Sequence, residues 1–445
     1  MYGHLFSRLF LRLAACALAL YFLLPPFGAL AGQTYSLQTA VETALERNFT
    51  IRAAEDGYRG TQAETQSRRG AFGPVLGTRY GYDRRQHAVG SGGRAQDKEL
   101  FTWRVYLSQN VFAGFSTLAD FQQAALRENS AEQGVRQARL ELIRIVQENF
   151  FIYLKAKQDV LSARDALERL RSQLAASKAF YDVGVSPRID VLQAEVDVSA
   201  AEGALLVAEN AVASQKARLN TLLLLPLEAD VEYVGQLGYI PFSHSLEDCL
   251  RQAHRLRPDL IMAEKSVRIA ETDITRAKSA FYPQVAAIGT WGTTGNNVRA
   301  AGSPNTKPHY SEWTVGMAAE WQIFEWGRTV NDMRRAGHEK NRVQAAADNL
   351  RQEVGFMVKV RMLAMNEAAQ RITVAQKGVE QAAEAYRMAD ARYRQQVGTM
   401  TDVLDAQAKL SLAEAALAEA GADYGIALSS LYVAIGEESP ALGAP

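Results

Sequence analysis

Cysteine is nearly missing from this 445-residue chain: there are two, Cys16 and Cys249. Two thiols cannot build a disulfide framework, and the first lies in a stretch that reads as a secretory signal peptide. That stretch, residues 1–31, carries Arg8 and Arg12, an apolar run over 14–24, and the small-x-small site Ala29-Leu30-Ala31. The Leu-Ala-Ala-Cys run at 13–16 also fits a lipoprotein cleavage box. Arg12 breaks the apolar run such a box needs, so cleavage after Ala31 is favoured. Cys249 is then the sole thiol and reads as a small buried helix residue.

Net charge is absent too, with 49 basic and 49 acidic residues, which leaves no electrostatic footprint for nucleic acid. Beyond the leader no apolar run reaches the length of about 18 residues that a transmembrane helix needs. The six histidines are dispersed. No metal-ligand spacing, phosphate-cradling glycine loop or nucleophile elbow occurs, so neither catalysis nor a cofactor is expected.

Proline is missing from two long windows, between Pro74 and Pro187 and between Pro308 and Pro440. Proline breaks helix interiors, and both windows are rich in Ala, Leu, Glu, Gln, Lys and Arg, which favour helix. The first predicts one helix over 115–181 and a shorter one over 188–224; the second predicts helices over 327–394 and 400–436. At 1.5 Å per residue the longer rods span roughly 100 Å. Val146, Tyr153, Val160, Leu167, Leu174 and Tyr181 recur every seven residues, as do Val358, Met365, Ile372, Val379, Tyr386 and Tyr393. A strict period of seven implies a left-handed coiled-coil seam, whereas an ordinary amphipathic helix drifts off that register. The small-residue run at 413–422 suggests close helix approach on a second face.

What the chain does have is itself, twice. Ile189-Asp190-Val191-Leu192 is echoed by Thr401-Asp402-Val403-Leu404, with Asp190 and Asp402 212 positions apart. Ser36-Leu37 and Ser245-Leu246 stand 209 apart, as do Pro74 and Pro283. The change from 209 to 212 fits one three-residue insertion between Pro283 and Gln322. The repeats occupy 32–224 and 245–436, joined by a linker at 225–244 and followed by a tail at 437–445. Length alone would suggest two or three ordinary domains; a repeat this long is instead one large supersecondary unit.

Ahead of each long helix the period changes to two. Phe101, Trp103, Val105 and Leu107 fall on one side, with Thr102, Arg104, Tyr106 and Ser108 on the other. In the second repeat Trp313, Val315, Met317, Ala319, Trp321 and Ile323 oppose Thr314, Gly316, Ala318, Glu320 and Gln322. These are strands of two hairpins, about 72–112 and 282–324, with loops rich in Gly, Ser and Asn. All five tryptophans, 103, 291, 313, 321 and 326, lie in or beside them. An exported sheet with one apolar, aromatic face and one small, polar face fits a transmembrane β-barrel. Phe101, Trp103, Trp291, Trp313 and Trp321 would form its lipid-facing belt. Four strands cannot close a barrel, and open edges have no place in lipid, so several copies must share one. Three copies give twelve strands and a lumen.

The paired segments at 184–195 and 397–407, the tandem Ser-Leu openings, and the strand endings at 110–115 and 322–328 make the chain resemble the TolC family of outer-membrane efflux and secretion ducts. The resemblance covers about 36–436. It implies a fold that is mostly α with a small β part: a homotrimer with a shared 12-stranded barrel in the outer membrane and a helical barrel crossing the periplasm. It implies a periplasmic adaptor, with an inner-membrane pump or ABC exporter, as partners. It also implies adaptor docking at the tips, Val183, Gly184, Val185 and Pro187 in one repeat and Val397, Gly398 and Thr399 in the other. An Asp pair in the Asp-Val-Leu-Asp-Ala context lines the family's periplasmic constriction, and Asp402 and Asp405 match it. The two tip glycines are displaced by two residues under the 212 offset, which predicts two different turn geometries. Glycine at each would supply the positive φ a tight turn needs. A periplasmic coiled-coil adaptor without a pore is the alternative; it would need no lipid-facing tryptophan stripe.

Overall fold

The computed structural model describes residues 33–84, 99–300, 311–439 and 441–442. The expected signal peptide and much of both hairpin loops lie outside the described residues.

A short strand, β1 (Gln33–Tyr35), leads into α1 (Leu37–Arg47) and α2 (Phe49–Gly70). Strands β2 (Val75–Arg84) and β3 (Glu99–Ala113) precede the 67-residue α3 (Ser116–Asp182) and α4 (Arg188–Leu222). After β4 (Val231–Tyr233) the series recurs: α5 (Leu246–Leu256), α6 (Pro258–Lys278), β5 (Gln284–Gly295), β6 (Ser311–Glu320), the 67-residue α7 (Arg328–Arg394) and α8 (Met400–Ile435).

Local chemistry sets these boundaries. Ser36 and Ser245 each open a helix with a capping box, closed by Thr39 and Asp248. Two helices precede each hairpin, broken at Asn48 and Arg257, which are 209 apart. Asn48 caps α2 by accepting from the Thr50 N–H and donates to the Leu222 carbonyl. Arg257 is extended because Pro258 follows it, and proline disfavours α conformation in its predecessor.

The main core sits where the middles of α3 and α7 meet α1, α5, the end of α8 and the 225–244 segment. That segment is no free linker: β4 pairs in parallel with β1, and Val231 and Tyr233 are buried. Three-residue strands carry too little pattern to be read from sequence. The Tyr233 hydroxyl donates to Asn220 Oδ1 at 2.7 Å, while the Asn220 amide donates to the carbonyls of Pro226 and Leu227. Burial pushes the Tyr233 hydroxyl above its ordinary range, so it acts as a donor at any physiological pH. Tyr233→Phe leaves a buried acceptor on Asn220 unmatched and should cost about 1–3 kcal/mol, read as a lowered Tm in detergent.

Val146, Tyr153, Val160 and Leu167 are buried on α3, as are Val358, Met365, Ile372 and Tyr393 on α7. Burying a large apolar side chain contributes about 1.5–3 kcal/mol, so this stripe ties each rod to its neighbours. Near the tip of α3 the seam shifts. Tyr181 is 44% exposed, and Gln173, Ser177 and Phe180 face inward instead. There α3 turns a different face to the second repeat: the Gln173 amide donates to Met400 Sδ at 3.1 Å, and the Ser177 hydroxyl lies 3.2 Å from that of Tyr393. Phe180 then meets Tyr393 ring edge to face at 5.6 Å. The small face of α8 takes the 225–244 segment: a Cβ on Gly421 would lie 3.0 Å from Leu237 Cβ.

The four long strands form one antiparallel sheet in the order β2-β3-β5-β6. Its register aligns side chains row by row. Thr78, Val105, Trp291 and Trp313 make one row, and Leu76, Leu107, Gly289 and Val315 the next on the same face. Gly77, Tyr106, Thr290 and Thr314 lie on the opposite, polar face, as do Arg79, Arg104, Gly292 and Glu312. A bulge between Asn110 and Phe112 sets Val111 aside and returns Phe112 to the apolar face opposite Val285. Strand β6 ends at Glu320, so Trp321 and Ile323 lie just past it. Its partner β5 cannot extend further, because a 3-10 turn over Ser279–Phe281 and then Pro283, which has no N–H, precede Gln284. Trp321 instead donates its indole N–H to the Phe281 carbonyl.

Candidate functional site

Three regions answer to the candidate residues: the far ends of the helix pairs, the first turn of α8, and the apolar face of the sheet.

At the first tip α3 closes with Gly184 at φ 80; its N–H donates to the Tyr181 carbonyl and the Val185 N–H to the Phe180 carbonyl. At the second tip Gln396 has φ 62, with donation from Gln396 N–H to Tyr393 and from Val397 N–H to Arg392. Every partner is displaced by 212, so both copies build one and the same turn. The expectation of two geometries is therefore wrong, and so is the positive φ assigned to Gly398. The left-handed residue follows the repeat offset, and in the second copy a glutamine takes it. Gly398 serves another purpose: a Cβ there would stand 3.1 Å from Arg392 Cβ and 3.3 Å from the Tyr393 nitrogen, so the chain passes too close for a side chain. A non-glycine residue in the left-handed region costs about 1–2 kcal/mol. Gln396→Gly should accordingly tighten the second tip and Gly184→Ala loosen the first, each by about 1 kcal/mol. Hydrogen exchange of the turn amides should slow in the one and quicken in the other.

Val183, Val185, Ile189 and Val397 stand out into solvent around these turns, with Val183 71% and Val397 67% exposed. Pro187 starts α4 without a side-chain cap, whereas Thr399 starts α8 with a full capping box. Asp402 closes that box, accepting from the Thr399 N–H at 3.1 Å while its own N–H donates to Thr399 Oγ1. The Thr399 hydrogen bonds hold the Asp402 carboxyl below the usual range, so it stays charged through the neutral and mildly acidic region. Asp405, one turn on, accepts from Lys409 Nζ at 2.6 Å. Both carboxylates are exposed on the single chain. Among the described residues no cluster of His, Cys, Asp and Glu could hold a metal ion.

Phe101, Trp103, Trp291 and Trp313 lie on one face of the sheet, with Trp103 against the edge of Trp291 at 5.5 Å. Trp321 lies past the strand end, its indole N–H turned to the Phe281 carbonyl. Tyr80 and Tyr82 join them opposite Trp103 and Phe101, and Tyr82 meets Phe101 at 4.8 Å. The alternation of Tyr80, Gly81 and Tyr82 carried that signal in the sequence.

The chain matches the model of the family described as "Outer membrane efflux protein" over residues 40–223 and 249–437, one stretch in each repeat. It is 24% identical over 408 residues to outer membrane protein OprJ of Pseudomonas aeruginosa, covering 90% of this chain and 84% of that protein. It is 24% identical over 319 residues to the outer membrane protein TolC of Vibrio cholerae, covering 69% of this chain and 72% of the other. Among solved structures, the outer membrane protein VceC of Vibrio cholerae superposes with a TM-score of 0.77 at 18% identity, covering 90% of this chain and 96% of that one. A membrane protein of Pseudomonas aeruginosa superposes with a TM-score of 0.80 at 21% identity, covering 91% of each chain. OprJ, TolC and VceC are each described as outer membrane proteins, and an apolar, aromatic sheet face is a feature a periplasmic adaptor does not need. With both repeats matched end to end, the chain belongs to the outer membrane efflux protein family, and its place is the outer membrane.

Proposed function

We propose that three copies of this chain share one 12-stranded barrel in the outer membrane and continue it as a helical tube through the periplasm. The assembly is the passive exit duct of a tripartite efflux pump or a type I secretion system. One observation carries this reading: a four-stranded sheet with an aromatic apolar face whose outer strands, β2 and β6, have no partner on their outer edges among the described residues. In lipid each unpaired backbone group is costly, so the edges of β2 and β6 must meet those of other copies. Two copies would make a barrel filled by its own side chains; three leave a lumen.

Phe101, Trp103, Trp291, Trp313 and Trp321 face outer-membrane lipid, where aromatic rings settle at the interfaces. The exposed valines at the tips receive the helical hairpin of a periplasmic adaptor, which links the duct to an inner-membrane pump or ABC exporter. Asp402 and Asp405 from three chains gather six carboxylates at the periplasmic entrance, favouring cations there. Cargo is selected by the pump rather than by this chain. The test is complementation: in a strain lacking its own exit duct, the protein with its cognate adaptor and pump should sediment with the outer membrane and restore resistance to the pumped compound. Restored resistance with none of the protein in the outer-membrane fraction would refute the reading.

A further inference from the structure

Resting on the shared barrel proposed above, we infer the register in which β6 of one copy pairs with β2 of the next: Glu320 stands opposite Arg79 of the partner subunit. The internal repeat dictates it. Strands β3 and β6 are one element in two copies, 212 apart, and β2 and β5 are another, 209 apart. Within the chain β3 meets β5 at Ser108↔Ile288, Leu107↔Gly289 and Val105↔Trp291. Replacing each strand by its repeat mate pairs Glu320 with Arg79 of the partner subunit. It likewise pairs Ala319 with Tyr80 of the partner subunit and Met317 with Tyr82 of the partner subunit.

Independent features agree with this register. Ala319 and Met317 lie on the apolar face, as do Tyr80 and Tyr82, so the belt runs unbroken across the junction. A slip of one residue would send both tyrosines to the polar side. On the polar face Arg79 stands directly opposite Arg104, a like-charge pair that is unfavourable by itself, and Glu312 lies beyond Gly292 on the same row. Adding the junction completes the row as Glu320, Arg79, Arg104, Gly292, Glu312. Two arginines are then bracketed by two glutamates.

The joint below the sheet follows the same mapping. Gly114 presses on Ser279 so closely that a Cβ would lie 2.4 Å from the serine carbonyl oxygen. The repeat mates of these two residues are Trp326, 90% exposed in the single chain, and Gly70, which has open space where a Cβ would be. Between copies a tryptophan therefore faces a glycine, where within the chain a glycine faces a serine.

Disulfide trapping decides the register, since Cβ atoms must approach within about 4.5 Å for a bond to form. In a Cys249→Ser background, Ala319→Cys with Tyr80→Cys and Met317→Cys with Tyr82→Cys should give covalently linked trimers. The crossed combinations, Ala319→Cys with Tyr82→Cys and Met317→Cys with Tyr80→Cys, should link at least about tenfold less. Preferential linking of either crossed pair, with the native mass still a trimer, would overturn the register and leave the shared barrel standing. A native monomer would overturn both. Glu320→Arg should abolish the detergent-stable trimer, and Arg79→Glu added to it should restore the trimer. A Glu320→Arg trimer as stable as the wild type would contradict the pairing.

Discussion

Replacing Asp402 and Asp405 together by asparagine should weaken polyvalent-cation block of the channel by at least about tenfold, or ~1.4 kcal/mol. The measurement is planar-bilayer conductance with the cation added on the periplasmic side. Carboxylate oxygens are what a hard cation seeks, and six of them at one constriction give a dense negative ring. The variant keeps the fold for a specific reason. An asparagine at 402 still offers an oxygen to the Thr399 N–H, so the capping box that starts α8 survives, and only the charge is lost. Among the described residues Asp405 pairs with Lys409, an exposed pair whose loss costs little. The pH dependence has a definite sign. Cation block needs ionised carboxylates, so it should persist at neutral pH and weaken on acidification. The Thr399 bonds hold the Asp402 carboxyl below its ordinary value, so its share should survive into mildly acidic solution. Equal block of wild type and double variant at pH 7 would reduce these aspartates to helix-end charges.

The second large effect is expected at the tips. Gly398→Trp should abolish export while the protein still inserts and assembles. The structure supplies a sharper cause than turn geometry. Gly398 has no positive φ, but the chain there passes within side-chain distance of Arg392 and Tyr393, so any bulk pushes the tip open. Local distortion alone would give the same loss, and a second variant separates the two. Val397 is exposed and supports nothing in the single chain, so Val397→Asp leaves the turn intact and removes only apolar docking surface. Losing an anchor of this kind typically costs about 2 kcal/mol of binding, roughly a 30-fold weaker hold on the adaptor. Export should therefore fail in both variants. Normal export from Val397→Asp would place the adaptor elsewhere.

Much of this fold could be read from the chain because its signals are long. Two proline-free windows and a seven-residue stripe sustained over several turns mark rods that no local accident imitates. The strands were legible because Trp103, Trp291 and Trp313 alternate with small polar residues. What escaped was short or depended on partners far away in sequence. The pairing of β1 with β4 involves three residues on each side, and nothing in Gln33-Thr34-Tyr35 announces a mate beyond residue 230. Tyr181 left the seam because α3 near its tip turns Gln173 and Ser177 toward Met400 and Tyr393 of the second repeat, partners that the period of one helix does not announce. The tip turn misled for a different reason. Glycine is the residue expected at positive φ, but the repeat offset points to Gln396, and the offset was the better guide. The candidate entrance was legible as a motif only. Its geometry in one chain, a capping box and an exposed ion pair, does not require six carboxylates to meet.

Native mass spectrometry of the protein extracted from outer membranes in mild detergent decides whether three chains share one barrel. A single dominant species at three times the mature chain mass is expected, persisting as detergent and protein concentrations are lowered. A stable monomer or dimer under those conditions would contradict it.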